Sequence, residues 1–522
     1  MKMAAVVALS VLLGGSAYLG GAANFTVNAR ALADAGATRP VDAAACASLT
    51  SLKLPHTTVT SAQGVAAGQF KAPENVKENV SDLPAFCRVA VDIAPSGDSE
   101  IKAEVWLPLS GWNGKFEEVG NGGWNGFIQY AALAGALRIG YAAASTDTGH
   151  TGDTASFAPG HPEKLIDFGY RAVHETAVQG KAVVAALYSA AAQVSYFVGC
   201  SGGGRQAFME AQRYPEDFGG IIAGDPGYDR AAESLQLVVA AQATHRDAAS
   251  FVSTEKFAAL HQAALDACDA LDGIKDGIIN DPRVCKFDPA VIQCKGADGP
   301  TCLTAPQVEA VRKLYAPIVD PKTGQEIFPG FQPGTELRFP NIAGQLRPLA
   351  MAEETFKYTV FQDANWDYRT LDIGPDFARA RKTDNGVVSA TSPDLKPFVE
   401  RGGKLIIYHG WADQNIAPFS SINYYQKLIS VLGKQQVEDS VRLYMAPGMG
   451  HCGGGEGPSV FDTLTPLAQW REHGDAPQEI IASQLADGKI IRTRPLCPYP
   501  QVAEYKGSGS TDQAENFVCR VP

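Results

Sequence analysis

The residue pattern with the clearest chemistry is a serine held between glycines. Residues 199–203 (GCSGG) match G-x-S-x-G, and they follow an apolar segment and precede a helical pattern. A sharp strand-to-helix turn of this kind lifts a serine hydroxyl above the edge of a sheet, where it can attack a carbonyl carbon. The adjoining helix N-terminus favours the negative charge that develops during such an attack. The pattern predicts a nucleophile at Ser201, and the competing interpretation is a tight glycine turn with an exposed serine.

A nucleophilic serine needs a base, and the base needs a carboxylate that orients it. Proteins with this turn carry the acid before the histidine in the chain. Asp413 and then His451 follow two successive predicted strands, and the loop after the second strand is rich in glycine. We therefore predict Ser201 as nucleophile, His451 as base and Asp413 as the orienting acid. His409 is the rival base, although its closeness to Asp413 suits a structural residue at a strand end, and a helix N-cap is the other interpretation of Asp413.

Attack on an ester also requires backbone N–H groups that bind the developing oxyanion. One such group comes from the residue after the nucleophile, Gly202. The second is expected from an early glycine-rich loop, and residues 120–126 (GNGGWNG) follow a predicted strand. Gly123 is the preferred donor and Gly122 its neighbour, while a simple turn is the alternative interpretation of this loop.

Strands alternate with helices on both sides of a long irregular segment. The alternation predicts strands at 101–107, 194–199, 218–224, 402–410 and 440–446, and helices at 165–190, 203–214, 418–432 and 459–473. Alternation of this kind predicts a mainly parallel sheet with helices on both faces, an α/β fold. We predict a catalytic domain formed by 34–227 and 395–522, interrupted by a lid domain at 228–394.

The predicted lid contains an acidic turn, CDALDGIKDGII (268–279). Its carboxylates repel one another unless a cation lies between them, and oxygen ligands suit Ca²⁺. The pattern departs from an EF-hand, since the twelfth position is an asparagine rather than a glutamate. A solvated acidic turn is the alternative. The predicted calcium ligands are the side chains of Asp269, Asp272 and Asp276 and the carbonyl groups of Ile274 and Ile278.

The chain has an even number of cysteines, ten, and no C-x-x-C pair, which favours disulfides over metal binding. Short loops make the pairings 268–285, 294–302 and 497–519 plausible, although sequence alone does not fix connectivity. Cys200 precedes the predicted nucleophile and Cys452 follows the predicted base. Because Ser201 and His451 must meet, their neighbours are close enough for a fourth bridge. Cys46 and Cys87 then remain as the fifth pair.

The N-terminus predicts export. Residues 1–33 combine a lysine, an apolar stretch and small residues, which is typical of a signal peptide. We expect a secreted or periplasmic protein without a membrane anchor in its mature form. The net charge is −12, with 44 basic and 56 acidic residues and no basic cluster, and this argues against a nucleic-acid partner.

Taken together, the sequence resembles the tannase and feruloyl esterase family of α/β-hydrolases. The motifs that carry this resemblance are GNGGWNG (120–126), STDTGH (145–150), GCSGGGRQAFMEAQRYP (199–215), CDALDGIKDGII (268–279), YHGWADQNI (408–416), PGMGHCGGG (447–455) and RPLCPYPQVAEYKGSGS (494–510). The resemblance implies an α/β-hydrolase core with a large inserted lid, the Ser201–Asp413–His451 triad and a lid calcium site. It also implies the five cysteine pairings 46–87, 200–452, 268–285, 294–302 and 497–519. No organic cofactor is expected.

The resemblance implies hydrolysis of a small aromatic ester, most similar to that of feruloyl esterases. Tannase and mono(hydroxyethyl) terephthalate hydrolase activities are the alternatives within the family. A peptidase or lipase on the same fold is a further rival, and a non-catalytic binding protein on this scaffold is the alternative from another class. Phe356, Tyr358, Phe361 and Trp366 are either ring-stacking residues or lid core, and Arg338, Arg347 and Arg369 are candidates to bind a free carboxylate.

Overall fold

The computed structural model of the protein describes residues 41–73, 76, 80, 82–245, 247–344 and 350–522. The predicted signal peptide (1–33) and Arg347 lie outside these residues. In the described part the strands are β1 (Thr57–Val65), β2 (Phe86–Ile93), β3 (Ile101–Pro108), β4 (Lys115–Val119), β5 (Ala142–Thr146), β6 (Val194–Cys200), β7 (Gly220–Gly224), β8 (Ile318–Val319), β9 (Glu326–Phe328), β10 (Lys404–Gly410), β11 (Val441–Ala446), β12 (Ile480–Ala486), β13 (Lys489–Leu496), β14 (Val502–Tyr505) and β15 (Phe517–Arg520).

Helices flank and connect these strands. They are α1 (Ala43–Ser48), α2 (Tyr130–Arg138), α3 (Pro162–Ile166), α4 (Ala172–Tyr188), α5 (Gly202–Arg213), α6 (Arg230–His245), α7 (Thr254–Cys268), α8 (Ala305–Tyr315), α9 (Met351–Glu354), α10 (Ile373–Asp384), α11 (Lys396–Glu400), α12 (Phe419–Leu432), α13 (Lys434–Ser440) and α14 (Leu464–His473). Among the described residues, no helix is both long enough and apolar enough to span a membrane.

One large sheet organises the fold. Within the described residues it has nine strands in the order β1-β2-β3-β5-β4-β6-β7-β10-β11. The neighbours from β5 to β11 are parallel, whereas β1, β2, β3 and β5 pair in antiparallel fashion. This confirms the predicted α/β class. Since the carboxyl ends of β6, β7, β10 and β11 meet at one edge, the loops that follow them are brought together there.

The central strands are apolar because helices cover both faces of the sheet. Adjacent residues of a strand point to opposite faces, and so Ile221 and Ile222 enter different cores, as do Ile406 and Ile407. The first core contains Ile221 and Ile407, and the second contains Ile222, Ile406 and Leu467. Burial on both faces fixes the strand ends to which the chemically interesting loops are attached.

The long predicted helix at 165–190 is interrupted in the structure. A single π-helical stretch, Asp167–Arg171, joins α3 to α4. The Arg205 guanidinium donates hydrogen bonds to the carbonyl oxygens of Phe168 and Gly169, at 3.1 and 2.6 Å. These carbonyl groups therefore have a partner outside the helix, which accounts for the local departure from α-helical geometry.

The segment between β7 and β10 has a core of its own. It contains α6 to α10 and the short β8–β9 pair, and its buried side chains include Leu235, Phe257, Val311, Phe331 and Phe356. Ile416, from the loop after β10, belongs to the same cluster. The segment thus contacts one of the loops at the carboxyl edge of the sheet. The domain boundaries at 227/228 and 394/395, and a role as a lid, stay predictions.

Candidate active site

Ser201 lies at the turn between β6 and α5, as the sequence predicts. Its backbone has φ 63° and ψ −118°, a conformation that non-glycine residues rarely adopt. The turn is tight because the backbone of Gly203 passes directly over Gly199. A Cβ atom on Gly199 would lie 2.5 Å from the Gly203 carbonyl, so no larger residue fits at that position. Strain and close approach together expose the serine hydroxyl at the sheet edge.

The structure brings Ser201, His451 and Asp413 into one hydrogen-bonded chain. Ser201 Oγ lies 2.7 Å from His451 Nε2, and His451 Nδ1 lies 2.8 Å from Asp413 Oδ2. The other oxygen of Asp413 accepts backbone N–H groups from Asn415 and Ile416, at 2.7 and 3.0 Å. The carboxylate is fully buried and fixed by several donors, and it orients the imidazole toward the serine.

Electrostatics matches this geometry. Burial opposes ionisation of Asp413, yet the charge of His451 and the hydrogen bond from His409 lower the pKa of Asp413 below its ordinary value. Burial likewise disfavours a charged imidazole, but the negative charge of Asp413 raises the pKa of His451 to about 8. The histidine is therefore a stronger base than a free imidazole and can accept a serine proton.

The two predicted oxyanion donors also lie side by side. The Gly123 nitrogen would be 2.8 Å from a Cβ atom on Gly202, which places the two loops in direct contact beside Ser201. Asn121 fixes the glycine-rich loop, because its side chain donates to the carbonyl oxygens of Phe127 and Thr146 at 3.0 and 2.8 Å. Gly122, the neighbouring candidate donor, directly precedes Gly123 in this loop. The arrangement suits a carbonyl oxygen that becomes negatively charged.

All ten cysteines form disulfides, so the described residues contain five bridges. The pairs are Cys46–Cys87, Cys200–Cys452, Cys268–Cys285, Cys294–Cys302 and Cys497–Cys519. The second pair links the residue before Ser201 to the residue after His451, and its Cα atoms are 6.0 Å apart. This bridge joins the loops of the nucleophile and the base covalently.

Sequence reasoning missed the walls of the pocket beside Ser201. The pocket is lined by Ser201, Gly202, Gly227, Arg230, Glu233, Ser234, Leu237, Met351, Asn415, Ile416 and His451. Arg230 and Glu233 belong to α6 and are buried. Burial raises the pKa of Glu233 to about 7, and burial lowers the pKa of Arg230. Charged residues three positions apart in a helix are ordinarily exposed to solvent, and nothing in the sequence indicated the burial of these two.

Arg230 is also tied to the glycine-rich loop. Its Nη2 donates to the Gly123 carbonyl oxygen at 2.8 Å, and its guanidinium lies 4.8 Å from the centre of the Trp124 ring. Its Nε is buried and has no hydrogen-bond partner among the described residues. The guanidinium therefore presents a positive charge to the pocket and holds the loop that carries Gly123.

The aromatic residues considered for ring stacking lie elsewhere. Trp366 stacks on both Phe356 and Phe361, with ring centres 5.4 and 5.3 Å apart. Tyr358 packs near Trp124 in a small separate cluster. None of the four lines the pocket beside Ser201 in the described structure. The structure therefore favours the lid-core interpretation for Phe356, Phe361 and Trp366, and it gives Tyr358 a packing role in the other cluster.

Two of the arginines considered for carboxylate binding already have acidic partners. Arg369 is exposed and pairs with Asp367, its neighbour two residues earlier. Arg338 lies 3.4 Å from Glu456, and its Nε would be 3.7 Å from a Cβ atom on Gly450, next to His451. Arg338 thus lies near the base loop, whereas Arg369 lies on the surface.

The aspartates of the acidic turn (268–279) are close together in sequence, and some of their carboxylate oxygens already accept hydrogen bonds from the protein. Both oxygens of Asp269 accept backbone N–H groups, from Asp276 and Gly277 at 3.1 and 3.0 Å. Asp276 accepts a hydrogen bond from Arg494 at 2.7 Å. Among the described residues, the carboxylate oxygens of Asp269, Asp272 and Asp276 do not all come within 4.8 Å of one another.

The donor chemistry of this turn nevertheless fits a hard cation. Burial raises the pKa of Asp272, and the negative charges of Asp276 and Asp269 raise it further. A cation beside Asp272 would relieve that repulsion, and the carbonyl groups of Ile274 and Ile278 add neutral oxygen donors of the kind that Ca²⁺ accepts. The residues present are therefore compatible with calcium.

Comparison with known protein families identifies one match. The model of the tannase and feruloyl esterase family matches residues 87–520. An uncharacterised esterase from Xanthomonas campestris is 41% identical, with 94% of each chain covered. A probable feruloyl esterase B-2 from Aspergillus terreus is 33% identical, with 83% of this chain and 86% of the relative covered.

Solved structures give the same result. The crystal structure of feruloyl esterase B from Aspergillus oryzae matches with a TM-score of 0.86 and 31% identity, covering 92% of this chain and all of that one. The tannin acyl hydrolase from Aspergillus niger matches with a TM-score of 0.75 and 21% identity, covering 93% and 96% of the two chains. The second likeness is informative about the fold alone.

Proposed function

We propose, from the premise that this chain belongs to the tannase and feruloyl esterase family and is a carboxylic ester hydrolase, that it cleaves esters of aromatic acids through an acyl-enzyme on Ser201. The observation that carries this proposal is the chain of short contacts from Ser201 Oγ to His451 to Asp413, at 2.7 and 2.8 Å. A serine, a base and an orienting carboxylate in this order are the parts that acyl transfer requires.

The reaction proceeds in two halves. In the first, His451 Nε2 takes the Ser201 proton while Oγ bonds to the ester carbonyl carbon, and the N–H groups of Gly202 and Gly123 bind the oxyanion. The carbon–oxygen ester bond then breaks, and the alcohol leaves with the proton from His451. In the second, His451 takes a proton from water, the resulting hydroxide attacks the acyl carbon, and the aromatic acid departs as Ser201 regains its proton.

We place an aromatic acyl group of the hydroxycinnamic type in the pocket beside Ser201. Leu237, Met351 and Ile416 offer apolar contact to a ring, while Arg230 and Glu233 offer a hydrogen-bond donor and acceptor to ring hydroxyl groups. Supporting this choice, a relative that is 33% identical is named a probable feruloyl esterase. Gallate esters and mono(hydroxyethyl) terephthalate are the competing substrates.

Rates of acid release from methyl ferulate, methyl gallate and mono(hydroxyethyl) terephthalate test this proposal. We expect measurable hydrolysis with the highest kcat/KM for methyl ferulate. Phenylmethanesulfonyl fluoride should abolish the activity and add one sulfonyl group per chain, which mass spectrometry should locate at Ser201. A folded protein that is inert on all three esters would contradict the aromatic-ester function, and an active protein without label at Ser201 would contradict the mechanism alone.

We further propose a structural Ca²⁺ bound by Asp269, Asp272 and Asp276 with the carbonyl groups of Ile274 and Ile278. When bound, the ion supplies charge neutralisation to a turn that is tied through Cys268–Cys285 to the end of α7. Arg494 already offsets part of the charge on Asp276. The expected contribution of the ion is therefore to stability rather than to the ester chemistry.

Calcium removal should lower the melting temperature. A ligand that binds only the folded state at 1,000 times its Kd stabilises it by about 4 kcal/mol. The check is thermal unfolding in excess Ca²⁺ and after chelation, for the wild type and Asp272→Asn. The wild type should lose several degrees on chelation and the variant little, while Asp288→Asn, which removes an exposed pair with Arg312, should respond like the wild type. Equal melting with and without Ca²⁺ in the wild type would refute the site.

Export to an oxidising compartment completes the proposal. Five disulfides in the described residues support it, because reducing compartments keep such thiols unpaired. The predicted signal peptide (1–33) is the segment that would direct it. Secreted and periplasmic locations agree equally with these observations.

A further inference from the structure

Asp225 occupies a strained position at the centre of the active-site loops. It directly follows β7 and is completely buried. Its φ is 36°, in the left-handed region that favours glycine. A residue with a side chain is kept there at a conformational cost, and such outliers concentrate at functional sites. The side chain must therefore contribute something that glycine would not.

The Asp225 carboxylate joins the loops that carry the acid and the base. Its Oδ1 accepts the N–H of Gly410, where β10 ends before Asp413, at 2.8 Å. Its Oδ2 accepts the N–H of Cys452, the residue after His451, at 3.1 Å. One carboxylate thus sets the distance between the two loops whose side chains must form the His451–Asp413 hydrogen bond.

The same residue is anchored to the nucleophile turn. Ser201 donates its backbone N–H to the Gly224 carbonyl oxygen at 2.9 Å, and Gly227 donates to the Ser201 carbonyl oxygen at 3.0 Å. Cys200 Sγ lies 3.4 Å from Asp225 Oδ2. The backbone on both sides of Asp225 therefore holds Ser201 while its side chain holds the other two loops.

We infer that Asp225 is a positioning residue for the ester hydrolysis, one whose carboxylate fixes the acid and base loops against the nucleophile. The inference rests on the proposed serine-esterase function. The Asp225 carboxylate reaches the acid and base loops, the backbone on either side of it reaches Ser201, and the side chain does not itself touch the reacting atoms.

The charged surroundings of Asp225 support this role. The titratable groups that face it are His409 from β10, Asp413 from the following loop and His451 from the loop after β11. His409 Nε2 lies 3.7 Å from Asp225 Oδ1. Burial raises the pKa of Asp225 to about 7, so the carboxylate is ionised above neutral pH. Its charge is one of the influences that raise the pKa of His451.

The test is the pH dependence of kcat/KM for Asp225→Asn. Asparagine keeps the shape, but its amide nitrogen must face one of the two N–H donors, so kcat at the optimum should fall by about 100-fold, as expected for a small displacement of catalytic groups. In the wild type, activity should fall as pH drops through about 8, where His451 gains a proton. Loss of a neighbouring negative charge lowers the pKa of His451, so this acid limb should move to lower pH in the variant.

Asp147→Asn is the matched control. Asp147 is also buried, also accepts two backbone N–H groups, from Lys102 and Gly149 at 2.9 Å each, and burial raises its pKa to about 7. A purely structural effect of removing such a carboxylate should appear in the melting temperature of both variants, with kcat and the acid limb unchanged. Asp225→Asn that behaves like this control would overturn the inference.

Asp225→Glu keeps the test decisive if the asparagine variant does not fold. It retains the charge but displaces it by one methylene group, so the acid limb should stay near that of the wild type while kcat falls. Wild-type kcat in this variant would overturn the positioning role. Wild-type protein that is inactive on the ester panel would instead contradict the proposed function, which separates the two failures.

Discussion

Replacement of Ser201 by alanine is expected to lower kcat for ester hydrolysis by about 10⁶-fold, the scale seen when a serine hydrolase loses its nucleophile. The substitution removes only the Oγ atom, which His451 Nε2 contacts at 2.7 Å. KM should change little, because the pocket walls and the N–H groups of Gly123 and Gly202 remain. The measurement is initial-rate kinetics on the best ester of the panel, with acid release followed by chromatography.

Ser189→Ala provides the matched control for this experiment. Ser189 also adopts a left-handed backbone, with φ 53°, but it is exposed at the end of α4. The control tests whether loss of a hydroxyl at a strained position by itself affects folding, and its kcat should equal that of the wild type. The contrary result would be that Ser201→Ala keeps more than about one hundredth of wild-type activity, far above the residual activity of other enzymes that have lost a triad residue. That result would show that another group is the nucleophile.

The triad could be predicted from the sequence because a strong local pattern marks each of its three residues. The glycines around Ser201 are required by backbone contacts, and they are therefore visible as a motif. Asp413 and His451 each follow a short apolar run that forms one of the parallel strands β10 and β11. Parallel neighbours end at the same edge, so their order along the chain was enough to predict that the three residues meet.

The residues that surround the triad could not be predicted from the sequence in this way. Asp225 resembles an ordinary turn residue before a proline, and its importance depends on a left-handed φ and on two N–H groups from distant loops. Arg230 and Glu233 are charged residues near the start of a helix, a position usually exposed to solvent. Their burial depends on tertiary packing of α6 against α8, α9 and α10, which no local pattern encodes.

His409 has a contact with the acid that the sequence did not predict. The sequence favours His451 over His409 as the base, and the structure places only His451 beside Ser201. Yet His409 Nε2 lies 3.1 Å from Asp413 Oδ2, and its Nδ1 lies 2.7 Å from Ser421 Oγ. The acid therefore has a histidine on each side, and its ionised form is stabilised by both.

Removal of the Cys200–Cys452 bridge should have the second large effect, on stability. The bridge closes a loop with a sequence separation of 252, and the chain-entropy relation assigns about 5.5 kcal/mol to a loop of that length. A Cys200→Ala/Cys452→Ala variant should accordingly unfold at a lower guanidinium concentration than the wild type. Cys294→Ala/Cys302→Ala is the control, since its separation of 8 corresponds to only about 2.5 kcal/mol.

The activity of the Cys200→Ala/Cys452→Ala variant distinguishes the contribution of the disulfide from that of the hydrogen bond between Asp225 and the Cys452 backbone. Asp225 still accepts the Cys452 backbone N–H after the sulfur atoms are removed, so part of kcat should survive. Adding Asp225→Asn should then cost more than it does in the oxidised protein, because each link limits the motion of the base loop more strongly when the other is absent. Kinetics of the single, double and triple variants measure this coupling. Strictly additive losses would show that the bridge and Asp225 act on the His451 loop independently.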